Sequence, residues 1–380
     1  MATGLIYPLT TLFLLSAGKL DDSGIALYFL VSAATSATSG LLAGRLIDRY
    51  TAKSLLVAGL VLESFGMLAM SSVGDHAPAI SAAALLGAGN GAFFAALSPF
   101  MQGLETDGGL HRAFALRYWF INIASASGML VGVGAIALAG EAAYRPLFAF
   151  DALACAVVAL ITSKIPCRPL GHAEPRDGER ARSPFTKLGV QLVATQLLVV
   201  TCGIAFFEAV APVIVTSGAG DSGQTAGLMM VASVVAVLGA QPFVNRLCQR
   251  TGPTWALRGH AAVWMVGALF AAPLLDINPQ GGAIMIGLLF GLSECLFGPS
   301  FQSLVVIAAP ESAQGRLNGM LSMTYGVGLA IGPAIGIHLA TGDGNFAMWL
   351  PAIIGSAFVL LLWARPAGAE APQTKSVSVP

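Results

Sequence analysis

The chain has 380 residues, 56% of them hydrophobic and 10% charged, with a mean hydropathy of +0.78. A water-soluble domain carries about 25% charged residues, so this composition excludes a soluble globular protein, and a formal net charge of zero gives no reason to bind nucleic acid. The five cysteines (Cys155, Cys167, Cys202, Cys248 and Cys295) show no metal-ligand spacing and no disulfide framework, and they read as packing thiols.

Taken in order, the apolar runs predict twelve helical spans over 2–17, 24–47, 54–73, 78–103, 113–138, 143–164, 188–216, 224–247, 254–275, 281–307, 317–340 and 345–364. Runs of about 20 apolar residues cross a hydrocarbon core of about 30 Å. The predicted fold is therefore an all-α integral membrane protein, with a six-helix bundle over 1–165 and a second over 188–364. The polar, Arg- and Pro-rich stretch 166–187 is the linker between them, and 365–380 is a tail. The first span is short, about 24 Å at about 1.5 Å per residue, and its repeat partner runs much further before its proline. The expectation is a native chain that begins about 15 residues earlier, since the span has a place in the repeat and lacks the basic flank of a signal peptide.

The second six spans echo the first six at an offset of roughly 200 residues. Pro99-Phe100-Met101-Gln102 returns as Pro299-Ser300-Phe301-Gln302, preceded by Gly87/Gly91 and Gly287/Gly291 respectively. Arg112, Gly128 and Gly132 find counterparts in Arg316, Gly332 and Gly336, and Arg45 to Arg49 is answered by Arg246 to Arg250. Two parallel halves facing one another build a substrate site near the bilayer midplane that opens to either side, so the architecture points to a carrier. The abundant glycines, as in Gly128, Gly132 and Gly134, suit close helix packing in lipid.

Charge sets the orientation. Arg45, Arg49, Lys53, Arg112, Lys164, the linker cations, Arg246, Arg250, Arg258, Arg316, Arg365 and Lys375 share one side in an even-span topology. The other side is acidic, with Asp21, Asp22, Asp75, Glu141, Asp221, Asp276 and Asp343. By the positive-inside rule both termini and the linker are cytoplasmic, in a multi-pass protein of the cytoplasmic (inner) membrane.

The connection between spans 2 and 3 runs from Gly44 through Asp48, Arg49, Thr51 and Ala52 to Lys53. It resembles the Gly-x-x-x-Asp-Arg-x-Gly-Arg-Lys loop of the major facilitator superfamily, matching at Gly44, Asp48, Arg49 and Lys53 and departing at Thr51 and Ala52. With the repeat, the resemblance spans nearly the whole chain and implies a secondary transporter of two six-helix bundles. It also implies a gating role for Asp48, with Arg112 and Arg316 as candidate partners and the positive end of a neighbouring helix as a favourable site for the carboxylate. Further departures are a fifth span without the Gly-Pro pair of the antiporter signature and Ala82-Ala83-Ala84 where drug exporters often carry an Arg. The segment from Arg112 to Asn122 is similar to the start of the fifth span in bacterial exporters and peptide transporters.

Charges inside a membrane are costly and usually face the bundle interior. Glu63, Arg117, Asp151, Glu208 and Glu294 form this set. The resemblance places spans 3, 6, 9 and 12 outside the central cavity. It thereby makes Glu208, Glu294 and Arg117 the candidates for proton coupling or cavity lining, and Glu63 and Asp151 packing groups. Asn90, Gln102, Asn122, Gln302 and Tyr325 are polar candidates for the cavity, with Trp119, Phe93 and Phe206 as apolar walls; His338 reads as an interfacial histidine. No nucleotide-binding loop, catalytic constellation or metal cluster is present in the sequence, so neither an enzyme nor a cofactor is expected. The sequence favours proton-coupled efflux of a small amphiphilic or drug-like molecule by alternating access, by a carrier that functions as a monomer and has the lipid bilayer, protons and its substrate as partners. The alternatives are proton-coupled uptake of a small metabolite, and a non-transporting membrane receptor or assembly factor.

Overall fold

The computed structural model describes residues 10, 13–14, 20–47, 49–104, 110–168, 186–212, 214–215, 224–309, 311–340 and 349–364. Most of the first predicted span, most of the linker, the tail, Asp48 and the side chains of Arg112 and His338 lie outside these residues. The described helices are α1 (Asp22–Leu46), α2 (Ala52–Met70), α3 (His76–Leu104), α4 (Leu110–Ala139), α5 (Tyr144–Lys164), α6 (Lys187–Val199), α7 (Gln224–Thr251), α8 (Pro253–Ile277), α9 (Pro279–Ala308), α10 (Glu311–Ala340) and α11 (Leu350–Leu362). They answer in order to predicted spans 2 to 12. Span 7 continues past α6 as two π-helical segments, Val200–Ile204 and Phe206–Val210. Eight of the described helices are long and apolar enough to cross a membrane.

Local sequence explains where the helices start. Asp21 caps α1 by accepting from the Gly24 N–H at 3.0 Å, and Thr186 caps α6 through the Gly189 N–H at 3.0 Å. Asn278 caps α9 through the Gly281 N–H at 3.0 Å, ahead of Pro279 at the first helical position. Each cap satisfies a backbone donor that the helix itself leaves unpaired, and proline at the first position gives up no hydrogen bond. Gly252, at φ 87°, makes the turn into α8. The exposed Asp21 carboxylate also bonds His76 Nε2 at 2.9 Å and accepts from Ser23 Oγ at 2.7 Å. These partners, His76 first, lower its pKa to about 2.

Two basic side chains close the bundles in the same way. Lys53 on α2 donates to the carbonyls of Ser163 (3.4 Å) and Ile165 (3.2 Å), at the end of α5. Arg258 on α8 donates to the Trp363 carbonyl, at the end of α11, through Nε at 2.7 Å and through Nη2. In each half, then, the third span reaches over the C-terminus of the sixth, where unpaired carbonyls and the negative helix pole attract a cation. The Gln191 amide donates to the Leu362 carbonyl at 2.9 Å, and the Trp363 indole to Thr195 Oγ1 at 2.9 Å. Arg258→Ala is expected to cost about 2 kcal/mol, the loss of hydrogen bonds from a charged donor. It should appear as a lower unfolding midpoint in detergent that Arg258→Lys partly restores.

The core is split between the halves. Phe13, Leu14, Tyr28, Met70, Tyr144 and Phe148 pack together in the first. In the second, one cluster gathers Phe207, Trp264, Phe290 and Trp349, and another Leu192, Leu257, Phe301 and Leu317.

Candidate functional site: the seam between the bundles

The two halves meet along α1 with α10, α3 with α10, and α4 with both α7 and α9. Small residues let α1 and α10 come into backbone contact: a Cβ added to Gly44 would lie 2.5 Å from the Gly315 carbonyl, and one added to Gly319 2.8 Å from the Gly40 carbonyl. Ser322 Oγ on α10 donates to the Gly91 carbonyl on α3 at 3.0 Å, and the ring of Tyr325 lies 5.1 Å from that of Phe94. The Gln102 amide reaches Gln314 Oε1 at 3.5 Å, while Gln314 itself donates to the Val306 and Ala309 carbonyls at 2.7 Å, capping the end of α9. All these contacts fall in the halves of the helices nearer the linker, as their positions along α1, α3 and α10 require. Among the described residues the seam is closed at the linker end.

Near the middle of the seam sits Glu294. Glu294 lies midway along α9, and its Oε2 accepts a hydrogen bond from the Tyr118 hydroxyl on α4 at 2.9 Å. Its other oxygen, Oε1, is buried and has no partner among the described residues. Glu208 lies on the second π segment and is exposed, while Phe206, Phe207 and Val210 on the same segment are buried in the second bundle. The two carboxylates lie close enough to repel one another electrostatically. Among the described residues no cation is paired with either. Arg117 is half-buried one residue before Tyr118 and makes no ion pair among the described residues.

The remaining sequence candidates divide. Trp119 crosses the seam, its indole N–H 3.4 Å from the Leu238 carbonyl on α7. Asn122 is held on its own helix, donating to the Tyr118 carbonyl at 2.8 Å, and Asn90 accepts from Ser36 Oγ at 3.4 Å inside the first half. Phe93 packs in the first half against Ile47, Leu56 and Ala96. Gln302 is half-buried in the last turns of α9, nearer the linker. Phe206, expected as a cavity wall, is instead a core residue, 1% exposed and 5.2 Å from the Trp349 ring. Residues two apart on a helix point to nearly opposite sides, so one segment cannot present both Phe206 and Glu208 to the same cavity.

Glu63 and Asp151 lie within the first half, at 9% and 0% exposure, and are electrostatic neighbours. Arg45 and Arg49 are exposed, Lys53 is engaged with the end of α5, and the Nε of Arg316 is buried without a partner among the described residues. Sequence reasoning singled out neither Tyr118 nor His260. His260 is 4% exposed on α8, with Nδ1 3.0 Å from the Ser293 carbonyl; the carbonyl only accepts, so Nδ1 carries the proton. The one available signal for both was a polar aromatic ring inside an apolar span.

The sequence model of the Major Facilitator Superfamily matches twice, over residues 1–218 and 193–378. No curated protein matches the sequence. Among solved structures, the chain is similar to FucP, the fucose:proton symporter of E. coli (TM-score 0.76, 15% identity, 95% of each chain covered). It is also similar to the proton:xylose symporter XylE (TM-score 0.73, 14% identity, 95% of this chain and 90% of that one). A bacterial homologue of the iron transporter ferroportin in an outward-facing state gives a TM-score of 0.72 at 13% identity, with 95% and 94% covered. At such identities these likenesses establish the fold. The family match, extending over both halves of a twelve-span repeat, identifies the chain as a member of the Major Facilitator Superfamily of membrane transporters.

Proposed function

We propose that this transporter exports a small amphiphilic or drug-like molecule in exchange for protons. The observation that carries the reading is Glu294, whose Oε2 accepts from Tyr118 of the other half and whose Oε1 is buried without a partner among the described residues, with Glu208 as an electrostatic neighbour. A carboxylate with a buried, unpartnered oxygen and a second carboxylate as neighbour is relieved by taking a proton or a cationic group. The largely apolar helices around them suit an amphiphile better than a sugar phosphate, which would call for several cations. The positive-inside pattern supports a cytoplasmic linker and termini, and by that orientation the closed seam lies on the cytoplasmic side.

The test uses inverted vesicles with an acid interior and a pH-sensitive dye. Adding an amphiphilic substrate should release protons, and Glu208→Gln or Glu294→Gln should reduce that release at least 10-fold while leaving substrate exchange intact. Proton release that persists in both variants would remove the proposal. Uptake by proton symport is the second reading, favoured by the fact that FucP and XylE are described as proton symporters. It predicts that substrate enters with protons in right-side-out vesicles.

A further inference from the structure

Tyr118 reaches across the seam. It belongs to α4, yet its ring packs against a cluster of the other half made of Val237, Val244, Cys248, Cys295 and Leu296. The notch that admits it is Gly298, where an added Cβ would lie 2.9 Å from the ring carbon Cδ2 and 3.0 Å from Cε2. At the tip of the ring the hydroxyl donates to Glu294 Oε2, one helical turn from the notch, leaving Oε1 buried and unpartnered. Among the described residues, then, the hydrogen bond that the Glu294 carboxylate accepts comes from the opposite bundle.

We infer that Tyr118 is a positioning residue that makes closure of the seam depend on the protonation of Glu294. The inference rests on the reading of Glu294 as a proton-carrying group. A phenol O–H bonded to an ionised carboxylate is roughly twice as strong as one bonded to a neutral acid. With Glu294 ionised, its bond to Tyr118 holds α4 against α9 and the linker end closed. When Oε1 takes a proton that bond weakens, and the ring is free to leave the Gly298 notch as the bundles part.

The helices packed against α9 bring few other titratable or charged groups to this stretch. They are Glu208 on the π segment, Arg117 beside Tyr118, Cys248 on α7, His260 on α8 and Arg316 on α10. Of these, Glu208 is an electrostatic neighbour of Glu294. His260 is engaged with the Ser293 backbone. None of these groups is hydrogen-bonded to Glu294 among the described residues.

Cys248 supplies the probe. It is 4% exposed and sits in the cluster that the Tyr118 ring covers, so parting of the seam uncovers it. In the full-length protein with the other four cysteines replaced by serine or alanine, its rate of modification by a charged maleimide would be followed from pH 5 to 8. The rate compared is that relative to the same protein unfolded in SDS at the same pH, which removes the thiolate's own pH dependence. With Tyr118 present this relative rate should rise at least 5-fold as the pH falls. Tyr118→Phe keeps the ring and removes the bond, so its rate should be high and flat across the range; Glu294→Gln should be flat as well. A Tyr118→Phe variant that keeps the pH dependence overturns the inference, and if Glu294→Gln has meanwhile lost it, the proton reading of Glu294 stands. If Glu294→Gln keeps it too, the proton reading fails as well. A structural role for the ring alone would leave Tyr118→Phe indistinguishable from the parent at every pH, which also overturns the inference.

Discussion

Replacing Gly287 by leucine is expected to abolish accumulation of folded protein, and Gly87→Leu should do the same. In the second half, Gly287 and Gly291 on α9 face Met229 and Ser233 on α7; in the first, Gly87 and Gly91 on α3 face Ser32 and Ser36 on α1. At all four, an added Cβ would land on the facing backbone carbonyl, well inside contact distance, and that carbonyl cannot swing aside as a side chain would. At Gly287 and Gly291 it would also meet Ala232 Cβ and Ala236 Cβ, each at 2.9 Å. The helix pairs must therefore separate along their length, which takes dispersion contacts from every layer above and below. Overpacking costs about 1–3 kcal/mol where side chains yield; a forced separation of backbones exceeds that and consumes much of a total stability of about 5–15 kcal/mol. Alanine at the same sites should give partial loss. Gly134→Leu and Gly239→Leu, where an added Cβ meets nothing within 4 Å among the described residues, should accumulate as the parent does. The measurement is the yield of monodisperse protein by size exclusion in detergent. Normal yield from Gly287→Leu would mean that α7 and α9 are not in backbone contact.

That packing was legible in the sequence in an unusual way. The Gly87/Gly91 and Gly287/Gly291 pairs stand at equivalent places in the repeat, and the structure gives both the same task against the helix two spans earlier. The all-helical fold was legible because a bilayer leaves the backbone few choices, so hydropathy alone marked the spans that α1 to α11 fill. The charged members of the candidate site stood out as candidates, since a carboxylate inside an apolar run is conspicuous. What could not be read was direction. Phe206 and Glu208 both lie in the seventh span, and only the helix's rotation tells that one is buried in the core and the other exposed. The π segments that set this rotation leave no periodic mark. Tyr118 was hidden because an aromatic residue in an apolar span is ordinary, and its partner is 176 residues away. Lys53 was visible as a member of the loop that carries the family resemblance and Arg258 as a basic residue near the linker end, but what they cap is a matter of tertiary arrangement.

Gly44→Val and Gly315→Val should behave unlike the Gly287 variant: the protein should accumulate and transport should fall at least 10-fold. The difference follows from which surfaces are forced apart. Gly44 and Gly315 belong to opposite halves, so a larger side chain leaves the interior of each bundle untouched and prevents only their closure. A Cβ on Gly44 would stand 2.5 Å from the Gly315 carbonyl and 2.8 Å from Gly319 Cα; one on Gly315 would stand 2.5 Å from the Gly44 carbonyl and 2.9 Å from Ile47 Cβ. If this raises the closed state by about 3 kcal/mol, the balance shifts by a factor of more than 100. A carrier must occupy both states in every cycle, so locking the seam open at the linker end stops turnover. Maleimide labelling of Cys248, relative to the SDS-unfolded protein, should then be fast at every pH, whereas Tyr118→Phe should close the seam part of the time. The glycine that opens the signature loop is explained by this contact: Gly44 is required because a backbone from the other half passes where its side chain would be. Wild-type transport by Gly44→Val would show that the linker end opens and closes without bringing α1 and α10 together there.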